Sequence, residues 1–151
     1  MRCGILSRVM EKKKIPTKPS YVVKRSIAGL GLFATTPFKR GDFIIEYTGE
    51  LVSTDEANRR GGKYLFVVSD TKTIDGKGRA NTARYINHSC APNAEAELDE
   101  DALRVRIFAK KKILPGEEIF YDYGKEYWDE HIKPYGCRCP HCTLGKKAKK
   151  K

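Results

Sequence analysis

Short segments rich in β-branched and aromatic residues recur along the chain, separated by turn-forming residues. They predict strands over residues 21–24, 31–35, 43–51, 64–69, 72–75, 103–109 and 118–123. No internal repeat is present, and the strands do not alternate with long helical segments as they do in dinucleotide-binding folds. The pattern therefore predicts a mainly β fold that contains several small sheets.

Helical signals are fewer and shorter than the strand signals. Ser53 or Thr54 can cap a helix over residues 55–60, whose first turn is acidic. One or two helical turns are predicted over residues 81–86, and a short helix over residues 125–133 is predicted to end before Pro134. The predicted fold thus has few short helices.

The chain has 151 residues, of which 40% are hydrophobic. This length fits one domain with a core of its own. No apolar run approaches the 18 or more residues that a membrane span requires, and no apolar region of the kind found in a secretory signal follows the first basic residues. We therefore expect a soluble protein without membrane contact.

The net charge of +11 is concentrated at the two ends of the chain. Residues 1–20 hold six basic side chains and one acid, and residues 146–151 hold five lysines, so the region between them is close to neutral. Basic tails can make salt-sensitive contacts with phosphates of DNA or RNA. They can equally be solvated tails that keep the protein soluble, and both interpretations stay open.

The five cysteines do not form the even, spread set of a secreted disulfide scaffold. Three of them, Cys137, Cys139 and Cys142, fall within six residues, whereas Cys3 and Cys90 are distant. Such a cluster favours metal binding in a reducing compartment. Three thiolates leave a tetrahedral zinc site one ligand short.

Four segments carry the chemistry in a fixed order: Gly29-Leu30-Gly31-Leu32-Phe33-Ala34, Arg84-Tyr85-Ile86-Asn87-His88-Ser89-Cys90, Gly116-Glu117-Glu118-Ile119-Phe120-Tyr121-Asp122-Tyr123 and Cys137-Arg138-Cys139-Pro140-His141-Cys142. Together they resemble the motifs of SET-domain protein lysine methyltransferases that have a post-SET zinc-binding segment. The resemblance covers roughly residues 20–145. It implies a SET domain over residues 20–124 and a post-SET segment over 125–145, between a basic tail at 1–19 and a Lys-rich tail at 146–151.

The resemblance also implies the fold and the cofactor site. In the SET fold, residues 87–90 and residues 121–123 cross in a knot-like arrangement. S-adenosylmethionine is the expected cofactor, and the residues expected to contact it are Gly29, Leu30, Gly31, Tyr64, Asn87 and His88. The glycine turn would act through backbone groups, and His88 is not expected to be a general base.

The implied reaction is methyl transfer to a lysine ε-amine, which attacks only when neutral. A lysine pKa of about 10.4 makes deprotonation at pH 7 cost roughly 4.6 kcal/mol. An apolar aromatic channel lowers this cost by desolvating the charged amine. The resemblance assigns catalytic roles to Tyr123, Tyr121 and Tyr47, with Tyr123 nearest the chemistry and the Tyr121 hydroxyl favouring monomethylation.

The fourth zinc ligand implied by the family is Cys90, which completes the set with Cys137, Cys139 and Cys142. Here two residues, rather than the usual four, precede the last cysteine, so His141 is an alternative ligand. Cys3 is left as a spare thiol. Trp128 is expected either to lean on adenine or line the channel, or simply to pack.

The leading hypothesis is a protein-lysine N-methyltransferase that acts on a basic protein or peptide such as a histone or a DNA-associated protein. It would work in the nucleus or in bacterial cytoplasm, and its target could be bound to chromatin. Two alternatives are an inactive SET scaffold and a zinc-containing nucleic-acid-binding module. The acidic residues between 95 and 101 are predicted to form a solvated hairpin tip, or else to attract a basic substrate tail.

Overall fold

The computed structural model describes residues 18–148. Its strands, in chain order, are β1 Tyr21–Ser26, β2 Gly29–Ala34, β3 Phe43–Tyr47, β4 Glu50–Ser53, β5 Leu65–Val67, β6 Lys72–Asp75, β7 Asn87–His88, β8 Ala94–Asp99, β9 Arg104–Ala109 and β10 Phe120–Tyr121. Its helices are α1 Thr54–Arg60, α2 Lys125–Tyr127 and α3 Pro140–Ala148, with a 3-10 helix over Thr82–Tyr85 and a π-helical turn over Trp128–Ile132. Cys3, most of the basic N-terminal tail and the last three residues lie outside the described residues.

The strands form four small sheets, which confirms the predicted mainly β fold. β1 and β2 form an antiparallel hairpin, and β3, β9 and β8 form a second sheet in that order. The third sheet has the order β4-β6-β5, and the fourth consists of β7 and β10. Every sheet contributes to one core, which includes Leu32 of β2, Ile45 of β3, Ile74 of β6 and Tyr121 of β10.

The strand predicted over residues 43–51 is wrong in its middle. It is two strands, β3 and β4, separated by Thr48 and Gly49. The Thr48 N–H donates to Asn81 Oδ1 at 3.1 Å instead of to a neighbouring strand. A Cβ on Gly49 would lie 2.3 Å from the carbonyl oxygen of Asp75, so only glycine permits this close crossing.

Strand β8 is not among the predicted strands because polar residues alternate along it. Glu95, Glu97 and Asp99 lie on β8, which pairs with β9, and only the last two acids of the run occupy the turn. Glu97 is opposite Arg106, and Asp99 is opposite Arg104. The prediction of an acidic hairpin tip is therefore wrong for three of its five residues, two of which face arginines across the strands.

The helices near the middle of the chain match their predictions. Ser53 caps α1 by accepting the Glu56 N–H at 3.1 Å, and Gly61 ends the helix with φ +62°.

The segment predicted as one helix over residues 125–133 is α2 followed by the π-helical turn. Helix α3 was not predicted; it begins at Pro140, where proline is favoured, and runs past the predicted boundary at residue 145.

The core lies where the four sheets meet. Its largest fully buried side chains come from β2, β6, β9 and the segments next to β5, β7 and β10, and they are Leu32, Val68, Thr73, Ile86, Val105, Ile107, Ile113 and Ile119. Two of them, Ile86 and Ile119, directly precede β7 and β10, so core packing fixes the strands of the smallest sheet. Within residues 18–148, no helix is both long enough and apolar enough to cross a membrane.

Candidate functional site

One large open cavity of 1540 Å³ adjoins the tip of the β1–β2 hairpin, β5, the β7–β10 sheet and the segment that follows β10. It is lined by eight of the nine residues predicted to bind cofactor or to act in catalysis: Gly29, Leu30, Tyr47, Tyr64, Asn87, His88, Tyr121 and Tyr123. Segments more than ninety residues apart in sequence therefore converge on one site.

The parallel pair β7–β10 brings the two central motifs together. Asn87 is opposite Phe120, and His88 is opposite Tyr121. Just beyond the pair, the Tyr123 N–H donates to His88 Nδ1 at 3.2 Å. The predicted meeting of residues 87–90 with residues 121–123 is thus present in the structure.

Aromatic rings that line the cavity cluster around Tyr123. Its ring centroid lies 4.9 Å from that of Tyr121 and 4.8 Å from that of Tyr127. Tyr127 also lines the cavity, and sequence reasoning missed it because it belongs to none of the four motifs. Trp128 instead packs on His88, with centroids 5.6 Å apart, and is not among the lining residues.

The three tyrosines with predicted catalytic roles differ in what their hydroxyls contact. Tyr123 donates to the carbonyl of Ile86 at 2.5 Å, and Tyr47 donates to the carbonyl of Tyr64 at 2.8 Å. The Tyr121 hydroxyl makes no hydrogen bond to any residue in the described part of the chain, although its side chain is buried. Tyr121 is therefore the one with a hydroxyl available to a ligand as both donor and acceptor.

Burial keeps these hydroxyls protonated. It raises the pKa of Tyr121 and of Tyr47 above the ordinary value of 10, and it raises the pKa of Tyr123 well above that value. Neighbouring tyrosines raise these pKa values further, because two phenolates side by side would repel each other. None of the three is a tyrosinate base at neutral pH, so they act as neutral hydrogen-bonding groups.

His88 is held as a neutral imidazole. Burial lowers its pKa below the ordinary 6.5, and the nearby carboxylate of Asp122 only partly offsets this. A neutral ring agrees with Nδ1 accepting the Tyr123 N–H. The structure thus gives His88 a role in holding the backbone of Tyr123.

The glycine turn has two different reasons for its glycines. Gly29 has φ +111°, a conformation in which side chains are strained, and it lines the cavity. Gly31 does not line the cavity; a Cβ there would lie 2.2 Å from Oε1 of Glu118. The absence of a side chain at Gly31 thus makes room for a carboxylate, and its expected backbone contact with the cofactor stays a prediction.

The sulfur atoms of Cys90, Cys137, Cys139 and Cys142 all lie within 4.8 Å of one another. Cys90 Sγ is 3.8 Å from Cys137 Sγ and 3.6 Å from Cys142 Sγ. Zinc–sulfur bonds of about 2.3 Å in a tetrahedron give sulfur–sulfur distances of about 3.8 Å, so the four thiols fit a zinc ion. His141 is outside the group and exposed on α3.

The thiols also have the chemistry of metal ligands. Burial alone would raise the pKa of Cys139, but backbone N–H groups of Cys90 and Cys142 and the adjacent thiols lower it to about 6. Burial raises the pKa of Cys90, as do its contacts with Cys142 and Cys137, and burial likewise raises the pKa of Cys137. A cation among the four sulfurs would replace the protons that these two thiols otherwise keep.

A family model for the SET domain matches residues 29–124, more than half of the chain. The chain belongs to the SET-domain family. The match begins at the glycine turn of this SET domain and ends directly after Tyr123, so it includes the whole lining of the cavity from β2 to β10.

Curated relatives of this SET domain include three proteins named as histone-lysine N-methyltransferases. Trr of Drosophila melanogaster is 38% identical over 134 residues, which are 81% of this chain and 6% of that protein. Protein 2D of Homo sapiens is 36% identical over 135 residues, 81% of this chain and 2% of that protein. ASHH1 of Arabidopsis thaliana is 34% identical over 139 residues, 83% of this chain and 28% of that protein. The chain thus spans a small part of these relatives.

Proposed function

We propose that this SET domain is a protein-lysine N-methyltransferase that transfers a methyl group from S-adenosylmethionine to a lysine ε-amine. The observation that carries the proposal is a single cavity lined by two kinds of group. The open glycine turn and the polar side chain of Asn87 suit a polar cofactor. The protonated tyrosines, buried Tyr121 and half-buried Tyr123, suit a neutral amine.

The proposed cofactor contacts are Gly29, Leu30, Tyr64, Asn87 and His88. Gly31 contributes to the same turn and leaves room for the Glu118 carboxylate behind it. When bound, S-adenosylmethionine supplies an electrophilic methyl group on a sulfonium. Gly29 permits close approach because it has no side chain. The 2.8 Å bond from Tyr47 and a second 2.8 Å bond from the Gly76 N–H hold the carbonyl of Tyr64, which fixes that residue at the cavity wall.

The catalytic contribution of this chain is to desolvate and orient the substrate amine, and we assign it to Tyr47, Tyr121 and Tyr123. Desolvation favours the neutral amine, which is the form that attacks, and offsets part of the roughly 4.6 kcal/mol that deprotonation costs at pH 7. Correct orientation for in-line attack contributes several kcal/mol more. The hydroxyl of Tyr121 occupies space and holds water beside the amine, which favours a monomethylated product.

We propose zinc as the metal held by Cys90, Cys137, Cys139 and Cys142. Cys90 lies two residues after β7, whereas the other three lie in the C-terminal segment. The ion would tie that segment to the strand that carries His88, and Cys137 and Cys139 also line the cavity. This supports a post-SET role for residues 125–145, as a wall of the site.

The proposed substrate is a lysine-rich protein such as a histone, as the names of the relatives suggest, and the proposed location is the nucleus on chromatin. The nucleic-acid contact predicted for the basic tails falls mostly on residues outside the described ones. A nucleic-acid-binding module would leave the tyrosine cluster and the cavity without a role, so we favour the enzyme.

Mass spectrometry tests this proposal. The zinc-loaded protein is incubated with S-adenosylmethionine and a mixture of histones and other lysine-rich proteins, and lysines are scored for mass steps of one methyl group. Methylated lysines that require the cofactor are expected. Measured cofactor binding without methylation of any lysine would favour the inactive scaffold, and absence of cofactor binding would contradict the proposal as a whole.

A further inference from the structure

The side-chain amide of Asn87 is held from two sides by atoms of other segments. Its Nδ2 lies 2.9 Å from the carbonyl oxygen of Leu30 and 2.9 Å from Oε1 of Glu118. Leu30 belongs to the glycine turn, and Glu118 lies two residues before β10. Asn87 is thus fixed between the hairpin and the segment that leads to the tyrosines.

These two neighbours determine which end of the amide is which. A backbone carbonyl oxygen and a carboxylate oxygen can only accept hydrogen bonds. The atom between them must therefore be the amide nitrogen, since a flipped amide would place three oxygens together. Both hydrogens of Nδ2 are then used, and Oδ1 has no hydrogen-bond partner among residues 18–148.

Glu118 is itself held in place by its surroundings. Ser26 Oγ donates to its other oxygen, Oε2, at 2.8 Å. Gly31 leaves the room that the carboxylate occupies, because a Cβ there would be 2.2 Å from Oε1. The Glu118 backbone is fixed as well, since its carbonyl accepts from Asn93 Nδ2 at 2.8 Å and its residue bridges to Phe33.

We propose that Glu118 is a positioning residue that restricts Asn87 to a single polarity, so that Asn87 offers the cofactor an acceptor and no donor. This inference rests on the proposed function. The cofactor group that fits a lone acceptor is a donor, and the α-ammonium is the donor closest in bonds to the sulfonium. Because Asn87 is on the strand beside Tyr121, the part of the cofactor near the sulfonium is the part that reaches it.

The proposal makes Glu118 a determinant of ligand discrimination. In the present arrangement, removing the α-amino group of the ligand leaves Oδ1 without its donor, a loss of about 10- to 100-fold in affinity for a charge-assisted bond. Without the Glu118 carboxylate, the amide is held only by the Leu30 carbonyl, and its rotation about the side-chain bond is less restricted. Asn87 then distinguishes the two ligands less well.

The test measures dissociation constants by calorimetry for two ligands, S-adenosylhomocysteine and its analogue without the α-amino group. The proteins are the zinc-loaded parent, Glu118→Ala, Glu118→Gln and Glu117→Ala. Glu117 is the matched control, because it is the adjacent glutamate and its carboxylate accepts from the Leu114 N–H instead of from Asn87. Glu118→Met, which keeps the length without an acceptor, serves if the alanine variant does not fold.

We expect the parent and Glu117→Ala to prefer S-adenosylhomocysteine by about 10- to 100-fold, and Glu118→Ala by about threefold or less. Glu118→Gln should restore the preference, since Oε1 can still accept from Asn87 while Nε2 donates to Ser26 Oγ. Equal weakening of both ligands in Glu118→Ala would reduce Glu118 to a structural residue and overturn the inference, as would an unchanged preference. If the parent binds neither ligand, the proposed function fails first.

Discussion

The hydroxyl of Tyr123 donates a 2.5 Å hydrogen bond to the backbone carbonyl of Ile86, the residue directly before Asn87. The backbone N–H of the same tyrosine donates to His88 at 3.2 Å. Both ends of Tyr123 are therefore attached to the segment that carries Asn87. One consequence is that Tyr123 and Asn87, which both line the cavity, occupy fixed positions relative to each other.

Tyr121→Phe is expected to increase the number of methyl groups added to the target lysine. The Tyr121 side chain is buried, but its hydroxyl makes no hydrogen bond to the described part of the chain, so its removal opens space beside the amine without breaking a protein hydrogen bond. Product distributions from mass spectrometry measure the change. Tyr135→Phe is the control, since Tyr135 also lines the cavity but is 79% exposed. A product pattern that is identical in the parent and in Tyr121→Phe would refute the role of this hydroxyl.

Cys139→Ser is expected to lose the bound metal, because a serine hydroxyl is a much poorer ligand for zinc than a thiolate. The C-terminal segment should then become accessible to protease. His141→Ala is the matched control and should keep its zinc, since His141 lies outside the sulfur cluster. Metal content and protease cleavage are measured together. Zinc lost in His141→Ala and kept in Cys139→Ser would replace the four-cysteine set by one that includes the histidine.

The glycine turn, Asn87 and the predicted catalytic tyrosines could be assigned to one site from the sequence, because they belong to motifs that resemble those of a single family. Tyr127 could not, since it follows the last motif of the SET domain and reaches Tyr123 only through the packing of α2. Glu118 could not either. Its carboxylate meets Asn87 because β7 and β10 pair in one particular register, which the local sequence does not specify.

Strands β8 and β9 differ in how strongly the local sequence predicts them. The regular apolar positions of β9 predicted it to within one residue, whereas β8 alternates Ala and Glu and has weak strand propensity of its own. It becomes a strand because β9 supplies a partner. The break at Gly49 depends on the close approach of Asp75, a contact between distant segments that no local pattern reveals.

Asp75→Asn is expected to destabilise the fold at pH 7 by about 1.5–3 kcal/mol, the size of a hydrogen bond to a charged group. The Asp75 side chain is only 4% exposed and contacts Arg60 at 3.1 Å and Lys77 at 3.4 Å. Glu50→Gln is the control, because Glu50 shares the Arg60 partner but is 63% exposed, and it should have a much smaller effect. Urea denaturation measures both variants.

The effect of Asp75 is also expected to depend on pH. Burial alone would raise its pKa, but Arg60 and Lys77 hold that pKa below the ordinary 3.8. A lowered folded-state pKa means stability that is present above pH 3.8 and lost as the pH falls through the folded-state value. The difference between the parent and Asp75→Asn should therefore shrink below pH 3.8. A difference that grows on acidification would mean that folding raises the pKa of Asp75 instead of lowering it.

The rate of methyl transfer at low substrate concentration is expected to rise about tenfold per pH unit between pH 7 and pH 9, because the neutral fraction of lysine rises in that proportion. Burial keeps the pKa of Tyr47, Tyr121 and Tyr123 above 10, so these groups should not lower the rate in that range. Initial rates in buffers of constant ionic strength measure the slope. A rate that is flat from pH 7 would mean that the enzyme deprotonates its substrate by another route.

The most direct measurement compares methyl transfer by the parent with transfer by Tyr123→Phe, alongside the cofactor affinity of both. Tyr123 lines the cavity and its hydroxyl is bonded to Ile86, so loss of that hydroxyl should lower the transfer rate by about 100-fold or more while cofactor affinity stays within a few-fold. That result would support the tyrosine-lined cavity as the site of lysine methylation. Equal transfer rates in the two proteins would contradict it.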